Sequence, residues 1–481
     1  MKKQFLIICS ILFAFTLYAQ SDDDLFGGDD DFFTDDSIVE VSDVSAKNDL
    51  SKGVIFDSGS IKVGGSLSAA LSTNTVLYSP DQDDFSENFK NTKLTPDLSA
   101  LLSVDARPTE TLRIYTKFGF AYPFENTISG YVNTSTDGKV PLNYISFDDE
   151  GNIIQGSKTT NTFADWFKLK ELFTDFSIKD TAFFRFGVHT VTWGAGYFFS
   201  PVSDMINTSS IDPENPEKQV DGALNLRTQI VFPNSQNCLW FYVIPSTDFT
   251  NQTSESYARD TALAGKADIL IGGWELGVGA FYKYQNAPKA MLTATGSLKK
   301  ISFFGELVYS YGADCEWKSN TDWDDKTSIF QATAGFSYYW KEPKVTLAAQ
   351  YYFESNDRDL DKEITQYGHN IALMASKGKL FNNSDLSLTF FAMANFGHKN
   401  ATVEDLKRNY PKTESIPSAI LEPAVNQFAD IMPALTANLM LKYSPVNDLS
   451  FGAGPSITFV NFEKNPTVAL KLTATLGGGK F

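Results

Sequence analysis

Strict alternation of apolar and polar residues between Ser328 and Glu354 is the feature that most limits what this chain can fold into. The stretch consists of two arms, SIFQATAGFSYYW and VTLAAQYYFE, joined by the polar turn KEPK. A period of two is typical of extended strands with one apolar face and one small or polar face. Each arm is long enough to cross a bilayer as a tilted strand, for which about 9–11 residues suffice. The stretch therefore predicts a membrane-crossing β-hairpin.

The same alternation recurs from Gly59 onward and predicts an all-β fold, a transmembrane antiparallel β-barrel spanning residues 59–481. About 18 strands are expected, with 16 as the alternative, because barrels of this kind have an even strand number. Short turns within successive hairpins alternate with mostly long connections between them: 76–95, 123–171, 193–221, 245–261, 312–328, 355–366 and 398–430. Both chain ends then lie on the periplasmic side. Asn286-Ala287 is too short for a long outer connection and leaves the count open by one pair of strands.

Composition agrees with a barrel in a membrane. Aromatic residues make up 14% of the chain, yet mean hydropathy is only −0.19, as expected when each strand is half apolar. Beyond the first twenty residues no run approaches the 18 apolar residues of a transmembrane helix. Two soluble β-sandwich domains are the structural alternative, but their strands are usually shorter, about 5–6 residues. The net charge of −18 argues against nucleic-acid binding.

The N-terminus predicts export. Residues 1–19 have two lysines, an apolar core and a small residue at a cleavage point after Ala19, as in a signal peptide. Residues 20–58 form an acidic leader, expected to be disordered in the periplasm. It contains SDDDLFGGDDDFFTDDS with eight aspartates. Either it is a solvated tether, or Leu25-Phe26 and Phe32-Phe33 bind a partner.

Polar strand faces are expected to line the lumen, and basic residues dominate among them. The candidate pore-lining residues are Lys62, Arg113, Lys117, Arg185, His189, Arg227, Lys266, Lys283, Glu306, Lys442 and Lys471. Further acidic wall residues are Asp105, Asp175, Asp268 and Glu275. Rings of Lys and Arg favour anions in a pore, so small hydrophilic, anionic solutes are the expected cargo. The alternative is that these charges pair across the lumen and only hydrate it.

The most distinctive stretch is RFGVHTVTWGAGYFFSPVSDMIN, residues 185–207. It resembles porin-like bacterial outer-membrane families in which an Arg-x-Gly-x-Gln strand is followed by Trp-Gly, including 18-stranded barrels for acidic polysaccharide export and substrate-specific diffusion. Here His189 replaces the Gln. The acidic leader is similar in style to that of spirochaetal outer-membrane proteins. The resemblance implies a porin whose loop 195–221 folds inward as a constriction, using Tyr197, Phe198, Phe199 and Asp204. A surface loop, or constriction by 123–171 instead, are the alternatives.

The C-terminus adds a signal for assembly. Many outer-membrane barrels end in a Phe that is in phase with the outward residues of the last strand and is read by the barrel assembly machinery. Phe481 is odd-numbered, whereas the outward residues Val468, Leu470 and Leu472 are even-numbered. A bulge within Gly477-Gly478-Gly479 would restore the phase.

No catalytic, metal or cofactor motif is present in the sequence. The three histidines, His189, His369 and His398, match no catalytic constellation, and the three cysteines have no metal-ligand spacing. We therefore expect no enzyme activity, no cofactor and no metal. Lipid of the cell outer membrane and small solutes are the expected partners. Two alternative functions remain: a surface adhesin using long loops, and a transporter of hydrophobic substrates of the fatty-acid type.

Overall fold

The computed structural model describes most of the predicted barrel. The described ranges are 56–57, 59–80, 84–122, 146–147, 153–154, 166–246, 253–355, 368–396, 434–460 and 465–480, with isolated gaps inside them and a few positions between 402 and 422. The predicted signal peptide, the leader up to residue 55, Phe481 and most of the connection 123–165 lie outside the described residues.

Eighteen long strands form one antiparallel barrel. In chain order they are β1 Ile61–Tyr78, β2 Leu94–Thr109, β3 Leu112–Ala121, β4 Phe167–Ile178, β5 Ala182–His189, β6 Ala223–Val231, β7 Cys238–Ile244, β8 Ala262–Ile271, β9 Trp274–Tyr282, β10 Lys289–Leu298, β11 Ile301–Tyr311, β12 Ser328–Trp340, β13 Val345–Glu354, β14 His369–Lys377, β15 Leu386–Phe396, β16 Ala434–Val446, β17 Leu449–Val460 and β18 Thr467–Lys480. Each pairs with its neighbours in sequence.

Pairing between the first and last strands closes the barrel. On β1, Leu71 lies opposite Ala474 and Thr75 opposite Leu470 of β18. Every one of the 18 strands thus has two neighbours, and no strand edge with unpaired N–H and C=O groups faces the surroundings. Minor elements are the strand Phe56–Asp57 on β1, the pair Ser146–Phe147 and Ile153–Ile154, short helices Phe85–Lys90, Ser254–Arg259 and Asp314–Ser319, and 3₁₀ turns Ser203–Met205 and Leu380–Asn382.

The predicted count of 18 strands is confirmed, and the alternative of 16 is wrong. Asn286 belongs to a real tight connection, in which its N–H donates to the carbonyl oxygen of Lys283 at 3.2 Å. Several strand bounds differ from prediction; among them, β1 extends to Tyr78, β2 begins at Leu94, β4 begins at Phe167, and β5 ends at His189. In β4 a register shift lies between the partners of Lys117 and Phe118. This bulge interrupts the alternation along β4. The pattern therefore did not predict that residues 167–171 belong to the strand.

The two faces of each strand differ in what they contact. In the hairpin β12–β13, Phe330, Trp340 and Tyr351 are exposed, whereas Thr333 and Gln350 are buried. The same holds around the barrel, where large exposed apolar side chains occupy the outward positions: Leu263, Ile269, Val278, Leu292, Ile371, Leu439, Leu441, Phe451 and Leu472. A closed barrel with an apolar outer surface is suited to hydrocarbon rather than water. The chain is an integral outer-membrane protein.

The predicted bulge near the C-terminus is present. Gly477 lies opposite Ser68, whereas Lys480 lies opposite Ser66, so the register shifts by one residue between these pairs. Such a bulge changes which face the following residues present. Among the described residues, no helix is both long and apolar enough to cross a membrane.

Substitutions at neighbouring positions of β18 test this assignment of faces. Leu472 points outward, because it is exposed on the apolar face, and Thr473 points inward, because neighbouring residues of a strand face opposite sides. We expect Leu472→Arg to lower the free energy of unfolding from vesicles by about 2–4 kcal/mol, the cost of a charge facing mid-bilayer lipid. The matched Thr473→Arg should change it far less. Urea titration followed by heat-modifiable electrophoretic mobility measures both, and equal losses would contradict the assignment.

Candidate functional site in the barrel lumen

Residues 190–214, which leave β5, are here called the inserted segment because they lie inside the barrel. Lys266 Nζ on β8 donates to the carbonyl oxygen of Trp193 at 2.9 Å. Glu306 on β11 and Gln350 on β13 bind the segment further along, and Glu214 lies 3.9 Å from Lys471 on β18. One short segment can reach strands distributed around the circumference only from the lumen side.

A single carboxylate, Glu306, binds four donors of the inserted segment. Its Oε1 accepts the N–H groups of Ala195 and Gly196, at 2.7 and 2.6 Å, and the hydroxyl of Ser200 at 3.0 Å. Its Oε2 accepts the N–H of Val202 at 3.0 Å. Glu306 is only 4% exposed. Charge-assisted hydrogen bonds from oriented N–H groups are what a buried carboxylate requires in place of water.

Gln350 forms the second anchor. Its Oε1 accepts the N–H groups of Tyr197, Phe198 and Phe199 at 3.0, 2.6 and 3.3 Å. Its Nε2 donates back to the carbonyl oxygen of Phe199 at 2.6 Å and to Thr333 Oγ1 at 2.5 Å. The side-chain amide therefore satisfies both donors and acceptors of the segment's backbone, which would otherwise be buried without partners.

Two glycines allow this close approach. A Cβ on Gly194 would lie 2.3 Å from Glu306 Oε1, and a Cβ on Gly196 would lie 1.8 Å from the carbonyl oxygen of Phe199. Neither distance is tolerated by a real side chain. The two glycines of Trp-Gly-Ala-Gly are thus explained by the tight turn that the backbone makes around the Glu306 carboxylate.

Apolar packing fills the lumen beneath these anchors. Trp193 lies edge-to-face against Tyr242 of β7, with ring centroids 4.8 Å apart. Val202 and Ile206 pack into the same cluster with inward side chains of β7 to β11. Phe198 is fully buried in a second cluster, formed with Ala348, Ala372 and Phe391 of β13 to β15. Contacts of this kind stabilise the segment through the hydrophobic effect, as in a soluble core.

Internal hydrogen bonds shape the segment. Ser203 Oγ accepts the N–H groups of Trp193 and Gly194 at 3.1 and 2.9 Å. Asn207 pairs with the backbone of Val191 in both directions, each at 2.8 Å. Asp204 lies in the 3₁₀ turn Ser203–Met205, partly buried. The segment is therefore a folded unit rather than an extended loop.

The predicted constriction residues lie together in this unit, and the predicted pore-lining residues divide into two groups. Arg185, His189, Lys266 and Glu306 are buried. The remaining ones are partly or well exposed: Lys62, Arg113, Lys117, Arg227, Lys283, Lys442 and Lys471. A solute in the lumen would meet the second group.

Ion pairs across neighbouring strands link some of these charges. Register places Arg113, Asp175, Arg185 and Arg227 opposite one another on the consecutive strands β3 to β6. Arg113 Nε lies 3.1 Å from Asp105 Oδ1, and Arg185 Nε lies 2.7 Å from Asp175 Oδ1. These ion pairs join neighbouring strands along the wall rather than opposite sides of the lumen, and only strand register brings their charges together.

Charge is distributed unequally around the inner wall. From β8 to β13 the acids Asp268, Glu306 and Glu354 are buried, and Glu275 stays exposed. The opposite wall, from β16 through β18 and β1 to β4, is here called the basic arc. Its inward basic residues are Lys442, Lys471, Lys62, Arg113, Lys117, Lys168 and Lys170, and they outnumber the inward acids of the same strands, Asp97, Asp105, Glu171 and Asp175. Two acids from outside these strands also lie against the arc: Asp221 pairs with Lys168 and Lys170, and Glu214 pairs with Lys471.

Sequence reasoning missed Gln350, Lys168, Lys170 and Asp221. Gln350 occupies a polar position of a correctly predicted strand, but alternation alone does not say what a polar side chain binds. Lys168 and Lys170 lie in the part of β4 that was assigned to a connection. Both donate to Asp221, which precedes β6, with Lys170 Nζ at 2.8 Å.

These two lysines set the ionisation of Asp221. Partial burial alone would raise the pKa of the Asp221 carboxyl, but hydrogen bonds and charges of Lys168 and Lys170 outweigh burial and hold the pKa below its ordinary value of 3.8. The carboxylate thus stays charged in all but strongly acidic solution and fixes the end of the connection to the rim of β4.

No family model matches this chain, and no curated protein matches it. Among solved structures it is similar to the Pseudomonas aeruginosa protein OccK11 (OpdR), at 10% identity over 86% of this chain and 95% of the other, with a TM-score of 0.44. Pseudomonas aeruginosa OccK9 (OpdG) gives 9% identity, 86% and 98% coverage and a TM-score of 0.46. A BenF-like porin from Pseudomonas fluorescens Pf-5 gives 8% identity, the same coverages and a TM-score of 0.46. Identities of 8–10% give no information about which solutes this chain binds or transports.

A glycine substitution tests whether the inserted segment is fixed by close approach to Glu306. We expect Gly194→Ala to detach residues 195–202, because its Cβ would lie 2.3 Å from Glu306 Oε1 and each buried group left without a partner costs on the order of 1–3 kcal/mol. Single-channel conductance should rise and proteolysis within the segment should accelerate. Gly265→Ala is the matched control, since its Cβ would lie an ordinary 3.5 Å from its nearest neighbour. Identical behaviour of the two variants would contradict the anchoring.

A pH titration tests the contact of Asp221. A lowered pKa in the folded state means that the contact contributes fully above pH 3.8 and is lost as pH falls through the lower folded value. The N–H of Thr208 donates to the Asp221 carbonyl oxygen at 2.9 Å, so its hydrogen-exchange protection reports the contact. Asp221→Asn should reduce protection at pH 6 and make it independent of acidification. An unchanged protection factor in that variant would rule the contact out.

Proposed function

We propose that this barrel is an outer-membrane channel for diffusion of small hydrophilic solutes, with a preference for anions. The observation that carries the proposal is the asymmetric lumen: residues 193–206 of the inserted segment pack on the wall that contains the buried acids, whereas the basic arc meets the segment through the ion pair of Glu214 with Lys471 and keeps partly exposed lysines. A porin of the spirochaete type is the specific form that this proposal takes.

The placement of charge supports the preference for anions. Lys442 is exposed, and Lys471, beside Glu214, is 39% exposed on its side chain, whereas Asp268 and Glu306 are almost completely covered. A solute that passes beside the basic arc is surrounded by low-dielectric wall, which strengthens the field of exposed cations relative to bulk water. Carboxylates, phosphates and acidic sugars carry the negative charge that this field would attract.

Firm attachment of the inserted segment supports a limit on solute size. Its backbone is bound by two buried side chains, Glu306 and Gln350, and by two apolar clusters. A segment held in this way narrows the lumen by a constant amount, and Tyr197, Phe198, Phe199 and Asp204 then act as the constriction. Small solutes pass and large ones are excluded.

The alternative functions receive less support from the described residues. A hydrophobic-substrate transporter needs an apolar path, whereas the open wall of this lumen is lined by lysines and arginines. An adhesin would depend on long outer connections, of which 123–165 and 397–433 lie largely outside the described residues. Recognition of the C-terminal strand by assembly machinery and cleavage after Ala19 remain part of the proposal.

Reversal potentials across planar bilayers test the proposal. In a potassium chloride gradient the wild-type channel should show anion preference, because exposed lysines attract chloride. Lys442→Glu with Lys471→Glu should shift the reversal potential toward cation preference. Lys179→Glu, in the turn between β4 and β5 and outside the lumen, should leave it unchanged.

The possible outcomes separate the two parts of the proposal. Absence of any conductance from folded, reconstituted protein would overturn the channel itself. Conductance with cation preference in the wild type would overturn only the anion preference and leave a general diffusion pore.

A further inference from the structure

Three neighbouring hairpin turns form a basic surface at one end of the barrel, here called the basic turn surface. They join β10 to β11, β12 to β13 and β14 to β15. Their lysines are Lys299, Lys300, Lys341, Lys344, Lys377 and Lys379, and their acids are Glu342 and Asp385. The second and third turns are in direct contact, since the N–H of Gly378 donates to the carbonyl oxygen of Lys344 at 3.0 Å. Positive charge is thus concentrated on one side of this end.

An exposed aromatic ring stands within this surface. Phe381 is 87% exposed, the highest value among the exposed large apolar residues of the described chain. Its φ of 53° lies in the left-handed region, between Lys379 at 50° and Asn382 at 63°. A bulky residue pays a conformational penalty there. A docking surface for an aromatic segment would explain an exposed ring at this strained position.

Topology places the N-terminal leader at the same end. Phe56 lies opposite Val63 near the start of β1, so the chain enters the barrel there. Odd-numbered strands begin, and even-numbered strands end, at this end of the barrel. The turns after β10, β12 and β14 therefore face the compartment from which the leader enters.

The leader has the complementary chemistry. Residues 22–36 contain eight aspartates in short runs, with Phe26, Phe32 and Phe33 between them. The distance can be spanned. About 20 residues separate this stretch from Phe56 and reach roughly 65 Å when extended, while an 18-stranded barrel is roughly 35 Å across, from the strand spacing and tilt.

We propose that residues 22–36 of this chain dock on the basic turn surface, with aspartates against its lysines and a leader phenylalanine against Phe381. The basic arc inside the lumen is the competing site, but the described residues show no comparably exposed aromatic ring beside its lysines. Docking on the turns holds the acidic leader beside the periplasmic mouth and away from the passage. Because the surface is exposed, docking weakens with salt over the range in which the Debye length falls from about 10 Å to about 3 Å.

Photo-crosslinking in the full mature protein tests this docking. Benzoylphenylalanine replaces Phe33, the protein is reconstituted in vesicles, and mass spectrometry locates the cross-links. Cross-links should concentrate on residues 377–385 at low salt and decline at high salt. Lys299→Glu with Lys300→Glu and Lys379→Glu should remove most of them. Lys179→Glu with Arg107→Glu, at the same end but on the other side, should retain them.

Further measurements separate docking from trivial causes. Heat-modifiable mobility confirms that each variant is folded, and mixing of isotopically labelled with unlabelled protein shows whether cross-links join two copies. Reversing the leader charges, with Asp29→Lys, Asp30→Lys and Asp31→Lys, should restore the cross-links in the triple glutamate variant. The proposal is overturned by cross-links that go mainly to lipid, to inner-wall strands or to a second copy, or that persist when the lysines are reversed.

Discussion

One buried carboxylate, which accepts four hydrogen bonds from the inserted segment, organises the interior of this barrel. Glu306 receives three N–H groups and one hydroxyl from residues 195–202. Removing a charge from water costs several kcal/mol unless such partners replace the solvent. The same bonds satisfy backbone groups of the segment that would otherwise be buried unpaired. Side chain and segment therefore require one another, and Gln350 repeats the arrangement with a neutral amide.

The outer and inner surfaces of the wall are adapted to different surroundings. Outward positions are apolar because they contact lipid, and their chemistry needs no specific partner. Inward positions are apolar where the inserted segment covers them, as Val308 and Met291 are, and many of the others are polar or basic. The position of the inserted segment therefore determines which charges of the wall are covered.

Alternation was sufficient to predict the barrel, its 18 strands and the outward faces, because strand period and lipid exposure are local consequences of the sequence. It failed at the first residues of β4, where a bulge breaks the period. It identified residues 195–207 as a distinctive unit but not their partners. Glu306 was predicted as a lumen side chain, and nothing nearby in the sequence indicates that Ala195 and Gly196, more than 100 positions earlier, supply its donors. Contacts across the lumen depend on register and closure, which are global.

The separation along the chain between Glu306 and its donors also bears on the order in which the wall and the interior can form. Both anchors of residues 195–202, Glu306 on β11 and Gln350 on β13, belong to strands that follow the segment in the chain. The segment can reach its final place only after these strands have joined the wall. We therefore expect the interior to be completed only after the part of the wall that contains both anchors has formed.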